Sequence, residues 1–569
     1  MKIQSVHIQK FRSIDDSKID FTQVLALVGQ NNAGKSHVLR ALNAFFNFER
    51  ENNDFLNFDH MFSSRARPKI IVSFDNITPD DQVDSIYIHN SLLTIRFTYR
   101  WDRRTPTYEV LVGNNLIKID IDTFKTITKH FKYIYIPIVR NYDVAFSKDN
   151  GVAYALLKNV LQQQIANRNT IQPIVSKLKD KVNTTVFKQA VKLIEQYYPF
   201  SNNSKFKLKI NDIDLIDTVL HDVTLSLVEN TQINEINNCG SGIQSAVFFA
   251  ISLAISMGSS INHLIGVEEP ELNMHPQAQR QLIDALNKPT KYPNAQFILT
   301  THSTVIVDKL GHSSIALCRK QKGATRDIIT SITQIDFDFW NKYQMTEERY
   351  YNFFAYKNSD FVFSNYIIIT ESTNDCNVVS ALLNHYDVDV EALGISLIPS
   401  SGEKSVKYPY SIAKELGIPF LCIVDRDVFQ PYINSDRKSS LDEKGIPQYR
   451  NELKTSSPIL DLISENDQTK ILDYLSNNKY KELCNLLKQY NIICMRYALE
   501  VDLVNCSSYC DAFCNHLNIV GSNRTSRFLL TERGNKIKDY DVITNVLQNT
   551  STKNLPASYK QIVQHIKNL

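Results

Sequence analysis

Gly29-Gln30-Asn31-Asn32-Ala33-Gly34-Lys35-Ser36 follows the apolar run VLALV and precedes SHVLRALNAFF, so a glycine-rich loop joins a strand to a helix. A loop with the spacing G-x-x-x-x-G-K-[ST] turns its backbone N–H groups onto phosphates at a helix N-terminus. In such a cradle Lys35 meets the β- and γ-phosphates, and the Ser36 hydroxyl holds Mg²⁺. A second element of matching chemistry is LIGVEEPELNMHP, an apolar strand that ends in Glu268 and Glu269. A carboxylate at a strand end beside a phosphate loop holds the metal, and its neighbour activates the attacking water. Glu268 is thereby assigned to the metal and Glu269 to the base.

A separate group of acids lies far downstream. NYIIITESTNDCNVV and PFLCIVDRDVF are apolar strands, the first ending in Glu371 with Asp375 after it, the second in Asp425 and Asp427. Parallel strands bring their C-terminal ends to one edge of a sheet, where such sheets bind ligands. Three or four carboxylates there repel one another unless divalent cations neutralise them, and hard oxygen ligands select Mg²⁺ or Mn²⁺. Two such ions about 3.5–4 Å apart can stabilise both the attacking and the leaving oxygen of a phosphodiester. An Asp-x-Asp alone arises often by chance. Its pairing with a second acid-tipped strand favours a metal site, with Glu371 and Asp425 as its catalytic acids.

The elements that must position these residues form two α/β series. KIQSVHIQKF, VLALVG, KIIVSF, LLTIRFTYR, YEVLVG and YIYIPIV carry the alternating or continuous apolar runs of strands. From Gly151 the pattern changes to helix, in ALLKNVLQQQIA and VFKQAVKLIEQYY, a block expected to be a helical insertion that could serve dimerisation. Strand and helix then alternate through NHLIGV and AQFILTTH, the signature of a largely parallel sheet. A polar, aromatic connector from Asp336 to Lys357 leads into the second series, NYIIIT, GISLIPS and PFLCIVD. The expected organisation is an ATPase-like part over 1–150, the insertion over 151–205, the rest of the first domain over 206–345, and a second α/β domain over 346–569.

Composition sets bounds on these readings. At 569 residues the chain exceeds a single core. A hydrophobic fraction of 43% and a charged fraction of 22% describe a globular protein, and a net charge of +3 is too weak to indicate nucleic acid by itself. MKIQSVHIQKF lacks the apolar region of a signal peptide. Ile243–Met257, the greasiest stretch, falls short of the roughly 20 residues that span a bilayer. No membrane partner and a cytoplasmic location are expected. Nine cysteines lack the dense spacing of a secreted scaffold. Cys506, Cys510 and Cys514, with His516 nearby, stack along one helical face without a second pair for zinc, so a buried apolar face is expected.

GSGIQS, opening a long helix, resembles the signature motif of ABC-type ATPases, and ILTTHS resembles their switch strand, with His302 near the γ-phosphate. The resemblance implies ATP as the nucleotide. It also implies that Gly240, Ser241 and Gly242 of one protomer close over ATP bound to another, in a homo-oligomer, dimer or tetramer. IQSVHIQKFRSI, GQNNAGKS and EEPELNMHP are similar to the subgroup that holds the SMC, RecF and OLD (overcoming lysogenisation defect) proteins, and YIPIVR, with Arg140, to a segment typical of OLD proteins.

The two acid-tipped strands resemble a Toprim domain, and SLIPSSGEKSVKYPYS resembles its glycine–lysine turn at Gly402, although Glu403 separates Gly402 from Lys404. OLD-type Toprim domains imply further acids, Glu500 and Asp502 in YALEVDLVN. They also imply a lysine, Lys536 or Lys538 in RGNKIKDYDVI, that stabilises the scissile phosphate.

An N-terminal ABC/SMC-like ATPase with a helical insertion, followed by a C-terminal Toprim α/β domain, is the OLD architecture. The resemblance covers nearly the whole chain, and in length and order it is most similar to the nuclease subunit of the Gabija anti-phage system. It implies a metal-dependent DNA endonuclease regulated by ATP, with a helicase-like protein as a further partner. The alternative is an ATP-driven DNA-binding clamp or repair factor with an inactive Toprim domain. No domain to present a nucleophilic tyrosine marks a topoisomerase, and no polymerisation module marks a primase.

Overall fold

The computed structural model describes residues 1–63, 66–138, 226–229, 232–247, 261–288, 293–323, 328–346, 358–400 and 402–569, with the single residues 177, 180, 181 and 250. Arg140 and the expected insertion over 151–205 lie outside the described residues, those single positions apart. They fall into two compact units, one of residues 1–12, 21–25 and 36–301, the other of residues 13–20, 26–35 and 302–569.

In the first unit an antiparallel run pairs strand Lys2–Phe11 with Lys69–Asp75, then Leu93–Arg100, Thr105–Val112 and Asn115–Ile119. Every second residue of Leu93–Arg100 is buried, as a sheet with one face on a core requires. That core is aromatic. The rings of Tyr108 and Phe124 stack at 4.0 Å, Phe45 meets Phe124 edge-on at 5.4 Å, and Phe55 stacks on Tyr99 at 4.3 Å. Each such pair adds about 0.5–1.5 kcal/mol to the area it buries.

A parallel run in the same unit sets Asn262–Glu268 between Ala295–Thr300 and Phe131–Ile136. Its two acid-side strands are buried almost throughout, the pattern of parallel strands covered on both faces. Gly266 lets the Tyr133 phenol cross it: a Cβ there would lie 2.3 Å from the hydroxyl, which donates to the Leu39 carbonyl at 3.1 Å.

In the second unit, Ile14–Asp20 pairs with Ile329–Gln334, which pairs with Ile315–Gln321, which runs parallel to Ala26–Val28. A four-stranded sheet follows, in the order Ile395–Pro399, Tyr366–Thr370, Phe420–Val424, Ile492–Cys494, parallel throughout. Its two central strands are buried at all five positions. Helices Thr373–His385, Ser507–His516, Tyr540–Gln548 and Ala557–Lys567 supply Leu382, Phe513, Val546 and Ile562 to a core shared with Ile368 of the sheet, each fully buried. All nine cysteines are free thiols. Cys510 and Cys514 lie on the buried face of Ser507–His516 as expected, while Cys506 stands just before the helix and His516 is exposed.

Candidate active site

Strand Val24–Val28 ends where Gly29 takes φ +138, and a Cβ there would lie 2.1 Å from the Cys318 carbonyl oxygen. At Gly34, with φ +93, a Cβ would lie 2.2 Å from Thr330 Oγ1. Both positions combine a left-handed backbone with close approach, which only glycine tolerates. Asn32 also takes a positive φ of 60, and helix Lys35–Phe46 begins at once. Lys35 is buried, its Nζ donating to the carbonyls of Gly29 at 3.1 Å and Gln30 at 2.9 Å. The ammonium is thus folded over the loop. Burial and the charge of Lys35 hold the His302 imidazole below its ordinary pKa, and so neutral.

The loop is also tied to the segment entering the four-stranded sheet. Gln30 Nε2 donates to the Phe363 carbonyl at 3.2 Å and to Asn365 Oδ1 at 2.5 Å. The Arg319 guanidinium donates to the carbonyls of Ser364 at 2.8 Å and Asn365 at 3.0 Å. A cavity of about 130 Å³ lies among Gly29, Gln30, Ala33, Arg319 and Asn365. Asn31 is exposed and Ser36 half-buried.

In the first unit, Glu268 closes strand Asn262–Glu268 and is buried. Burial, then the Glu268 charge, raises the Tyr135 phenol above its ordinary pKa. Glu269 takes φ 43, and its N–H donates to the Thr300 carbonyl at 2.9 Å and to Thr300 Oγ1 at 3.1 Å. A non-glycine residue in this conformation costs roughly 1–2 kcal/mol, and such strain concentrates at functional sites. Of the signature residues, Ser241 is exposed and Gly240 borders open space. Gly242 has a reason within its own chain: a Cβ would lie 2.3 Å from the Asn273 carbonyl oxygen.

The strongest concentration of acids stands on the parallel sheet. From Tyr366–Thr370 the chain goes to one side for Ile395–Pro399 and returns on the other for Phe420–Val424. The crevice between those two central strands is the topological switch point, where open α/β sheets bind ligands. Glu371 directly follows the first strand and Asp425 the second. One carboxylate oxygen each from Glu371, Asp425 and Asp427 lie within 4.8 Å of one another. Glu371 Oε1 accepts the Asp425 N–H at 3.0 Å, and Asp425 Oδ1 accepts the Leu499 N–H at 2.9 Å. Desolvation, then the charges of Glu371 and Glu500, pushes Asp425 well above the carboxylate range. An all-carboxylate set whose members repel in this way fits a hard divalent cation, Mg²⁺ or Mn²⁺.

Lys538 stands beside that set. Its Nζ reaches Asp375 Oδ1 at 2.8 Å and Glu500 Oε2 at 2.9 Å. Burial works against its charge, but Glu500, Asp375 and Asp425 raise its pKa above that of an ordinary lysine. Arg437 pairs with the other Glu500 oxygen. Burial opposes the Glu500 charge too, and Lys538 and Arg437 overcome it. Asp502 is not brought into the group. Its Oδ2 accepts from Arg496 N–H at 2.8 Å and Ser558 Oγ at 2.6 Å, its Oδ1 from Tyr497 N–H at 2.9 Å, and burial pushes it up to about 6. Lys536 is exposed. The turn at Gly402, with φ +107, donates its N–H to the Glu371 carbonyl at 2.7 Å.

Among the described residues a second group, Glu51, Asp54 and His60, brings ligand atoms of two acids and an imidazole within 4.8 Å of one another, and the sequence reading missed it. His60 Nδ1 accepts from Arg12 Nε at 2.9 Å, which places the ring proton on Nε2, 2.6 Å from Glu51 Oε2. Arg40 and Asn43 also donate to Glu51. Burial disfavours the Glu51 charge, yet His60, Asn43 and Arg40 together hold it down at about 2.

Comparison with known proteins adds families to this geometry. A family model described as "AAA domain, putative AbiEii toxin, Type IV TA system" matches residues 24–308, half of the chain. A model described as "Overcoming lysogenization defect protein-like, TOPRIM domain" matches residues 362–427, which hold Glu371, Asp425 and Asp427. An OLD nuclease of Thermus scotoductus is 23% identical over 451 residues, 75% of this chain and 82% of that protein. The Old nuclease of Escherichia phage P2 is 22% identical over 78% of this chain and 80% of its own length. Endonuclease GajA of Bacillus cereus is 27% identical over 40% of this chain and 34% of that protein.

Proposed function

The chain belongs to the AAA-domain family and carries an OLD-like TOPRIM domain, and on that premise we propose that it is a metal-dependent endonuclease of DNA controlled by ATP. The convergence of Glu371, Asp425 and Asp427 at the switch point carries this reading. Those three carboxylates would hold Mg²⁺ or Mn²⁺, as one ion or two, with Asp375 and Glu500 behind them. The metal, when bound, supplies positive charge to the attacking and leaving oxygens of the phosphodiester. Lys538, charged between Glu500 and Asp375, then offers its ammonium to a non-bridging oxygen of the scissile phosphate. Arg437 keeps Glu500 in place for that exchange.

At the phosphate loop, residues Gly29 to Ser36 seat ATP, and Lys35 trades its two carbonyl partners for phosphate oxygens. Ser36 and Glu268 hold the nucleotide's Mg²⁺, Glu269 takes the proton of the attacking water, and neutral His302 meets the γ-phosphate. Ser241 and Gly242 serve the nucleotide of a neighbouring copy, in a dimer or tetramer. Control of cleavage is supported by Gln30, a residue of the loop itself, whose amide grips Asn365 one position before the strand that leads to Glu371. A ligand shifts such a balance only by its differential affinity for the two states. ATP holds the nuclease back in this reading, because cellular ATP is abundant and unrestrained cutting is toxic. The same reading places the protein in anti-phage defence, in the cytoplasm, beside a helicase-like partner, on its resemblance in length and domain order to the nuclease subunit of the Gabija system.

Plasmid cleavage tests this, in Mg²⁺ and in Mn²⁺, with ATP titrated at fixed free metal. Wild-type cutting by Asp425→Ala would end the nuclease reading. Rates indifferent to ATP in both the wild type and Lys35→Ala would end the control.

A further inference from the structure

A second cavity, of about 270 Å³, opens beside the glycine–lysine turn. Lys404, Lys407, Thr455, Ser456, Ser457 and Asp461 are among the residues that line it. They present two ammonium groups, three hydroxyls and the one carboxylate of Asp461. Ser457 is 3% exposed and its hydroxyl has no hydrogen-bond partner. Leaving a buried hydroxyl unpaired costs about 1–3 kcal/mol, which an acceptor entering the cavity would recover. The backbone N–H groups of Thr455 and Ser456 make no hydrogen bond among the described residues, and their side chains are exposed. Lys407 is buried, with its Nζ 2.6 Å from Asp461 Oδ2, while Lys404 is exposed. Two lysines against one aspartate leave the lining net positive.

Both walls of this cavity hang from the loops that carry the acid cluster. On one side the Gly402 N–H donates to the Glu371 carbonyl at 2.7 Å, two residues before Lys404. On the other the Lys454 N–H donates to the Phe429 carbonyl at 2.8 Å, tying a residue two after Asp427 to a residue three before Ser457. Five fully extended residues and one hydrogen bond bound the path from Asp427 to Ser457 at about 20 Å. At 3.4 Å of rise per nucleotide that is about six nucleotides of a strand.

We propose that this cavity is a second phosphate subsite, seating a phosphodiester of the DNA strand within about six nucleotides of the one cut. A tetrahedral anion with several acceptor oxygens matches the donors: the ammonium of Lys404, the hydroxyl of Ser457, and the amides of Thr455 and Ser456. Lys407 stays paired with Asp461 at the back wall. The subsite rests on the nuclease reading for its substrate but not on the metal, since its residues lie outside the acid set.

The test is binding of a labelled oligonucleotide duplex in EDTA, with methylphosphonate replacing one phosphate at a time. The wild type should lose about tenfold in affinity at one position, where Lys404→Gln loses nothing further. The slope of log affinity against log salt should fall by about 0.9 in Lys404→Gln. Ser457→Ala, which removes an unpaired hydroxyl without disturbing a bond, should weaken binding through the same position. Identical scans in the wild type and Lys404→Gln overturn the subsite. Inorganic phosphate or thymidine monophosphate bound in a Lys404-dependent way, with a flat scan, assigns the cavity to a free phosphate and overturns the strand subsite. Wild-type plasmid cleavage beside a flat scan overturns the subsite alone, whereas absence of both cleavage and DNA binding removes the nuclease reading too.

Discussion

Glu51 with Asp54 and His60 in one unit, and Glu371 with Asp425 and Asp427 in the other, each bring three ligand atoms within 4.8 Å of one another, yet they differ in what surrounds them. Around Glu51 the protein supplies the compensation itself: Arg12 and His60 in series, Arg40 and Asn43 from the helix beneath. Its carboxylate is held at about 2. Around Asp425 the nearest charges are other acids, and its carboxyl is pushed the opposite way. Proximity of acids is therefore not what marks a metal site. The sign of the shift imposed by the neighbours separates a finished network from one that a ligand must complete.

The two groups should differ most in activity. Asp425→Ala should remove about 4 kcal/mol of transition-state stabilisation, roughly a thousandfold in plasmid cleavage, while ATP turnover persists. Glu51→Gln should leave cleavage chemistry intact, and equal losses in the two variants would erase the distinction.

Stability should respond in opposite senses. The folded pKa of Glu51 is about 2 against an ordinary 4.5, so its charge stabilises the fold above pH 4.5, and that contribution is lost as pH falls through 2. Glu51→Gln should cost about 3 kcal/mol at pH 7 by denaturant unfolding, with the difference closing between pH 4.5 and 2. The folded pKa of Asp425 is raised, so above its ordinary value of 3.8 its charge opposes folding of the metal-free protein. Asp425→Asn should therefore be more stable than the wild type in EDTA at neutral pH and equal to it below pH 3.8. A destabilised Asp425→Asn would contradict the repulsion on which the metal site rests.

Mg²⁺ provides a third handle. At a hundred times its Kd it should stabilise the wild type by about 2.7 kcal/mol, Glu51→Gln equally, and Asp425→Asn less. The smallest effect concerns the two lysines. Lys538→Met should slow cleavage about tenfold, as loss of one charged hydrogen bond predicts, and the exposed Lys536→Met less than twofold. Equal losses would mean that the ion pairs of Lys538 with Asp375 and Glu500 have no bearing on the reaction.

What could be read from the chain alone was whatever depends on contiguous residues. The phosphate loop is eight consecutive residues between a strand and a helix, so its cradle follows from local backbone preferences. Glu371 and Asp425 were legible because five-residue apolar strands deliver each of them to the same sheet edge. Asp502 was not: an acid two residues after Glu500 looks like a ligand until the N–H groups of Arg496 and Tyr497 and the Ser558 hydroxyl claim it. Arg437 sits in the polar stretch SDRKSSLDEK, which gives no sign that one of its cations turns inward onto Glu500. Strand Ile14–Asp20 escaped notice because only Ile14, Ser17 and Ile19 are buried, too sparse an alternation to signal a strand. The Glu51 network draws Arg12 and Arg40 from outside residues 51–60, and nothing within that stretch marks its acids and imidazole as turned on one another.

The strand Tyr366–Thr370 has a mechanical character. It is buried at all five positions, hydrogen-bonded on both edges, and about 17 Å long. A rod so confined has no slack: it cannot bow or fray, and it transmits an axial push almost undiminished. Its near end is Asn365, clasped by Gln30 and Arg319, and its far end is Glu371. Slippage of a few tenths of an ångström at the clasp would therefore arrive as the same slippage among three carboxylates that must agree on the position of one ion.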